Sequence, residues 1–199
     1  MYDDLGLTAR WYIVLRWMLS HFEEMENYIS PDAKVLDIGC GYGLFVNLVS
    51  LKGDKRHAAG LDTSHERISI AARSAQNRKN ISFIEKDVAE MDFAPYDTVT
   101  FSDVLHHFSY SAQEELLKKI HRQIRKGAVV LIKELDTRPF LKYYISYVLD
   151  TFLYLGQRIS YRSLDSWKNV LNKIGFDVEA VILHKTTILS SVLYVCKKR

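Results

Sequence analysis

The nine residues Val35-Leu-Asp-Ile-Gly-Cys-Gly-Tyr-Gly43 constrain this chain more than any other segment. Lys34-Val-Leu-Asp-Ile reads as a buried strand, three glycines follow at alternate positions, and Gly43 to Leu51 reads as a helix. Glycine lets the backbone turn tightly and lets a ligand approach with no side chain in the way. In open α/β sheets the carboxyl end of the first strand is also where ligands bind.

The residues around this segment alternate strand and helix patterns. His57-Ala-Ala-Gly-Leu is a second strand, and Thr63 or Ser64 caps a helix through Ala75. Ile81-Ser-Phe-Ile-Glu is a third strand, Tyr96 to Phe101 a fourth and Ala128 to Glu134 a fifth. A helix from Ser111 to Arg125, with Gly127 just past its end, lies between the last two. Such alternation implies a mostly parallel sheet with helices on both faces. Leu164 to Ile174, stopped by Gly175, is a late helix. Phe176 to Leu183 and Ser191 to Cys196 form a closing hairpin that makes one strand antiparallel. The expected fold is α/β, a Rossmann-like three-layer sandwich with a seven-stranded sheet.

Two segments lie outside this alternation. Trp11, Leu15, Met18, Phe22, Met25 and Ile29 recur at three- and four-residue steps, which predicts one amino-terminal helix ended by Ser30-Pro31. Pro139 to Leu155 also has a helical pattern. The organisation expected is therefore a single domain over 1–199: a helical cap (1–30), a core (31–136), a helical insert (137–162), and a last helix with a strand pair (163–199).

A dinucleotide fingerprint needs glycine at the first, third and sixth loop positions. Gly39 and Gly41 meet the first two, but the sixth is Leu44. The run Asp37-Ile-Gly39-Cys-Gly41-Tyr-Gly43 instead resembles the first motif, D-x-G-x-G-x-G, of class I S-adenosylmethionine-dependent methyltransferases. Gly60-Leu-Asp-Thr-Ser closes the second strand, Lys86-Asp-Val closes the third, and Tyr96 to His107 resembles the family's next motif. The resemblance covers about residues 30–136. It implies the cofactor S-adenosylmethionine, with Asp62 accepting from the ribose diol and Asp87 meeting the adenine amino group. Beside Asp37, Gly39, Gly41 and Gly43, it assigns Cys40, Thr63, Val88 and Ser102 to the same site.

The family's chemistry narrows further. Enzymes that methylate flipped bases at an amino group carry N/D-P-P-Y/F after the fourth strand, where this chain reads Ser102-Asp-Val-Leu. Cytosine-C5 enzymes need a cysteine nucleophile near the fourth or fifth strand, and the two cysteines, Cys40 and Cys196, lie elsewhere. Asp103, Glu134 and Asp136 have no spacing that forces a metal site, so none is expected. His106 and His107 follow the fourth strand and are candidate general bases, with Glu134 as a third polar group. Lys118, Arg122 and Arg125 share a helix face, but Glu114 and Glu115 stand four residues before Lys118 and Lys119, the spacing of ordinary surface pairs. That argues against nucleic acid.

Composition is that of a globular protein, with 48% hydrophobic and 26% charged residues and a net charge of +3. Two cysteines make no disulfide framework, and Met1-Tyr-Asp-Asp-Leu lacks the form of a signal peptide. The stretch Leu141 to Leu155 contains Asp150 and is shorter than the ~20 residues of a membrane span. A cytoplasmic setting is expected. Tyr143, Tyr144, Tyr147 and Tyr154 in the insert, with Trp11, Tyr12 and Trp17 in the first helix, lead us to expect that both helices roof an apolar acceptor pocket. Its polar groups would be His106, His107 and Glu134. The sequence thus points to methyl transfer onto oxygen, nitrogen or carbon of a small hydrophobic or lipid-like acceptor. It leaves open an RNA or protein methyltransferase and a catalytically silent cofactor-binding module.

Overall fold

The computed structural model of the chain describes residues 2, 6–75, 78–138, 140, 144, 159–183 and 190–199. Tyr143, Tyr147, Asp150, Tyr154 and most of the helical insert lie outside the described residues.

Helix α1 (Leu7–Leu19) is followed by the short α2 (Phe22–Glu26). The single amino-terminal helix expected from the periodicity is therefore two. Ser20 is fully buried and its hydroxyl turns back onto the Arg16 carbonyl at 2.5 Å. His21 then enters the left-handed region at φ 51. This turn resets the helical register, so residues on either side of it no longer share a face. Phe22, Met25 and Ile29 are buried, whereas Trp11, Leu15 and Met18 are exposed.

Seven strands form one sheet in the order β3-β2-β1-β4-β5-β7-β6. They are β1 (Lys34–Ile38), β2 (His57–Asp62), β3 (Ile81–Glu85), β4 (Thr98–Ser102), β5 (Val129–Leu135), β6 (Phe176–Ile182) and β7 (Ser191–Lys198). β1 and β3 each run parallel to β2. β7 runs antiparallel to both β5 and β6, with Val129 opposite Lys197 at one end of the first pairing and Leu135 opposite Ser191 at the other. The last strand is thus inserted antiparallel, as the hairpin pattern implies. The helices that complete the α/β fold are α3 (Leu44–Leu51), α4 (His65–Ser74), α5 (Tyr110–Gln123) and α6 (Leu164–Ile174).

The chain gathers into two compact units, Met1–Thr100 and Phe101–Arg199. In the first, α3 and α4 cover β2 and β3, and α2 rests on α3. Leu36, Phe45, Val49 and Phe93 are buried almost completely there. A buried ion pair joins Arg56 to Glu26, and the same guanidinium donates to the carbonyls of Ile29 and Ser30. Ser64 caps α4 by accepting from the Arg67 N–H. In the second unit, α6 packs on β6 and α5. Trp167 of α6 and Tyr194 of β7 are its largest fully buried side chains, with ring centroids 6.1 Å apart. Ser163 caps α6 at one end and Gly175 closes the other.

Candidate cofactor site and a buried acid–base cluster

The loop after β1 is shaped by its backbone. Gly39, Gly41 and Gly43 have φ of 68, 54 and 78. At Gly43 a Cβ would lie 2.6 Å from the Phe83 ring as well as in a left-handed conformation, so only glycine fits. At Gly41 a Cβ would meet nothing within 4 Å, which leaves the peptide open to an approaching ligand. The loop is held by Cys40 N–H to the Leu61 carbonyl at 3.0 Å and Gly43 N–H to the Cys40 carbonyl at 2.9 Å.

Asp62 ends β2 and is buried. One of its oxygens accepts from the Gly41 N–H at 3.0 Å and the other from the Ser64 N–H at 2.9 Å. It therefore fixes the glycine loop and the start of α4 together. A carboxylate has about four acceptor sites, so two remain for a ligand. Thr63 beside it is exposed. Asp87 caps a 3-10 turn, Val88–Glu90, by accepting from the Ala89 N–H at 2.8 Å. Its carboxylate is exposed, while Val88 is buried.

Asp37 is buried within the sheet and accepts a hydrogen bond from the Thr100 hydroxyl at 2.6 Å. Burial pushes its carboxyl up to about 7. The Asp62 charge adds to that rise, against the Thr100 hydrogen bond and the Arg16 charge. The Cys40 thiol is pushed well above its ordinary value, first by burial and then by the charges of Asp37 and Asp62. It is a poor nucleophile in this setting.

Sequence reasoning missed Asn47. It lies in the middle of the apolar α3, is buried, and donates to the Gly43 carbonyl at 2.8 Å and the Ser74 hydroxyl at 2.7 Å. Arg78 reaches its side-chain oxygen, and the Tyr2 hydroxyl, 3.1 Å from its nitrogen, donates on to the Tyr42 carbonyl. One amide thus ties the glycine loop to α4. A lone polar residue inside Leu44-Phe-Val-Asn-Leu-Val was the available signal.

The second unit gathers charge out of water. Ser102 ends β4 and is buried. Asp103 takes a left-handed φ of 54 although it is not glycine. Its two oxygens lie 2.8 and 2.7 Å from Lys133 Nζ, and its N–H donates to the Lys133 carbonyl at 2.9 Å. The neighbouring Glu134 accepts through one oxygen from the N–H groups of Val104 and Leu105, at 3.1 and 2.7 Å. Its other oxygen is 2.7 Å from His106 Nδ1, and both side chains are only 1% exposed. His107 is half-buried, its ring 4.3 Å from that of His106. Glu134 and the two histidines thus meet on one short turn, Leu105–His107.

Gln113 of α5 supports that turn. Its amide nitrogen lies within hydrogen-bond distance of the carbonyls of Leu105, Phe108 and Ser160, and its oxygen accepts from Arg162 Nε at 2.7 Å. Nothing in the local sequence marks Gln113 or Arg162. The three acids weighed as metal ligands do not come together. Asp103 is held by Lys133, Glu134 by His106, and Asp136 accepts from the Leu164 N–H at 3.1 Å. Among the described residues no group of three His, Cys, Asp or Glu is placed to hold a metal ion. On α5, Glu114 pairs with Lys118 at 3.8 Å, as the four-residue spacing implies, and also with Arg162.

A family profile described as a methyltransferase domain matches residues 12–181. The chain belongs to this family, the class I S-adenosylmethionine-dependent methyltransferases, and S-adenosylmethionine is the family's cofactor. Among curated relatives, carboxy-S-adenosyl-L-methionine synthase of Campylobacter fetus is 29% identical over 137 residues, which is 67% of this chain and 57% of that protein. A ubiquinone biosynthesis O-methyltransferase of Rickettsia bellii is 26% identical over 121 residues, 60% of this chain and 49% of that one. The chain spans about half the length of the curated relatives it matches. The solved structure of the pyocyanin biosynthetic protein PhzM shares the fold with a TM-score of 0.78 at 16% identity. The match covers 99% of this chain and 60% of that one.

Proposed function

We propose that this chain transfers a methyl group from S-adenosylmethionine to a small hydrophobic acceptor. The observation that carries the proposal is the carboxylate of Asp62, which pins the open glycine loop at Gly41 and keeps acceptor capacity to spare. The residues fit the cofactor: an unobstructed peptide at Gly41, and acidic groups at the ends of β1, β2 and β3. Gly39, Cys40, Gly41 and Gly43 would offer backbone to it. Asp62 and Thr63 would hold its ribose, and Asp87 and Val88 its base. Asp37 and Ser102 complete the proposed set. When bound, the cofactor supplies a methyl carbon made electrophilic by a sulfonium. The protein's share is to hold donor and acceptor together and to accept a proton where the acceptor is a hydroxyl.

For that proton we assign His107. His106 and Glu134 are nearly inaccessible, and their geometry suits positioning: Glu134 fixes the tautomer of His106 and anchors the backbone of the turn. The ubiquinone-pathway name of one relative supports a hydrophobic acceptor. A second reading, modification of the cofactor itself, is favoured by the synthase relative and would appear as a heavier cofactor in mass spectra without any acceptor. The test of the first reading joins calorimetry with S-adenosylhomocysteine to transfer of labelled methyl onto phenolic and quinol acceptors. Asp62→Ala should weaken cofactor binding by roughly tenfold or more through lost charge-assisted bonds. His107→Gln should spare binding and slow transfer about 100-fold. Tight binding of NAD with none of S-adenosylhomocysteine would overturn it.

A further inference from the structure

The turn that carries His106 and His107 is held from three directions. Glu134 of β5 accepts from the N–H groups of Val104 and Leu105. The Ser160 N–H donates to the His106 carbonyl at 2.7 Å. Gln113 of α5, fully buried, reaches the carbonyls on either side of the histidines, Leu105 at 2.9 Å and Phe108 at 3.2 Å, and that of Ser160 at 3.0 Å. Three carbonyls thus converge on the two N–H groups of one amide. Its nitrogen must face the turn and its oxygen must face away, because the reverse orientation would set oxygen against oxygen three times.

The outward oxygen is taken by Arg162, whose Nε donates to it at 2.7 Å. The rest of the guanidinium is fixed in its own frame. Nη2 donates to the Glu114 carboxylate at 3.0 Å and to the Tyr110 carbonyl at 3.2 Å. The group lies 4.7 Å over the centre of the Tyr110 ring and 5.6 Å over that of Trp167. The side chain is only 9% exposed. A lysine cannot take its place, because an ammonium has no planar fork that reaches a carboxylate and an amide at once. Among the described residues, none of the Arg162 hydrogen bonds goes to either histidine, so any influence on them passes through Gln113.

We propose that Arg162 is a positioning residue for His107: it locks the Gln113 amide, and the amide fixes the turn on which His107 stands. The proposal rests on the reading of His107 as the proton acceptor, and a misplacement of about 1 Å at such a group costs up to ~100-fold in rate. Arg162→Lys keeps a charge beside Glu114 and removes the bond to Gln113. It should slow methyl transfer roughly tenfold and leave the affinity for S-adenosylhomocysteine unchanged. In a His107→Gln background the same change should alter the rate by less than about twofold, because the two residues act as a unit. Gln113→Asn, one methylene too short to span Arg162 and the turn, should give the same pattern and serves if Arg162→Lys does not fold. A second readout needs no turnover. With carbon-13-labelled histidine, the His107 ring signal, identified by its loss in His107→Gln, should shift and broaden in Arg162→Lys. Equal slowing with and without His107 would reduce Arg162 to a support of the fold and overturn the proposal. An unmoved ring signal would overturn it too. A wild type that transfers no methyl group, or a His107→Gln variant that matches it, would sink the reading of the site instead, and the ring signal alone would then decide the positioning role.

Discussion

The two units of this protein build their candidate-site residues by opposite means. In Met1–Thr100 the candidate site is mostly backbone: three glycines with positive φ, one open peptide, and carboxylates at strand ends that accept from nearby N–H groups. In Phe101–Arg199 it is side chains paired across long sequence separations: Lys133 with Asp103, Glu134 with His106, and Gln113 with Arg162. A site made of backbone tolerates the loss of one side chain by losing ligand affinity. A site made of buried charges loses stability first, since a removed partner leaves an uncompensated group out of water.

The largest effect should therefore come from Glu134→Ala. It strips the partner from His106 and from two backbone N–H groups, and should lower the free energy of unfolding by about 3–5 kcal/mol in urea titrations. If Glu134→Ala were as mild in stability as Asp62→Ala, the contrast between the units would fail.

Asp37 is the exception among the candidate-site residues of the first unit, a buried carboxyl with a hydroxyl as its partner. Its folded-state pKa is raised from 3.8 to about 7, so the folded protein binds the proton more tightly than the unfolded chain. The stabilisation is complete below about pH 4 and is lost as pH rises through about 7, an effect of roughly 2–4 kcal/mol. Asp37→Asn should remove that slope. It should melt higher than the wild type at alkaline pH and lower the affinity for S-adenosylhomocysteine. A wild-type melting temperature that rises steadily between pH 4 and 7, with the Asn variant following it, would contradict this assignment.

The smallest effects sharpen the comparison by being equal. Ser64 and Ser163 cap α4 and α6 with the same 3.3 Å bond, one in each unit. Ser64→Ala and Ser163→Ala should each cost about 1 kcal/mol in thermal unfolding. Unequal costs would mean that the units differ in local helix stability as well as in how they hold charge.

The same contrast decides what could be read from the sequence. β3 and α6 appear with the boundaries their patterns imply, because each is short, periodic and bounded by turn or capping residues. The glycine loop was legible because its residues are consecutive. The amino-terminal break was not: Ser20 and His21 carry no glycine or proline to announce a left-handed turn, and the apolar spacing continues through it. The roles of Lys133, Gln113 and Arg162 were illegible for another reason. The side chains they pair with, Asp103 for Lys133 and each other for Gln113 and Arg162, are 30 and 49 positions away, at distances no local pattern encodes. Asp62 shows the intermediate case. The end of a strand marked it as a ligand residue, but its grip on Gly41 depends on β1 and β2 lying side by side.

The position of β7 has a consequence for how the protein is made. It leaves the ribosome after the other six strands of this sheet, yet its place is between β5 and β6. Until it emerges, β6 has no neighbour, and the facing edge of β5, with Lys133 and Glu134 on it, has no cover. Nascent chains therefore pass through a stage with two open strand edges, the kind of surface that invites aggregation and chaperone capture. Folding of the second unit becomes a late, nearly all-or-none event that waits for β7.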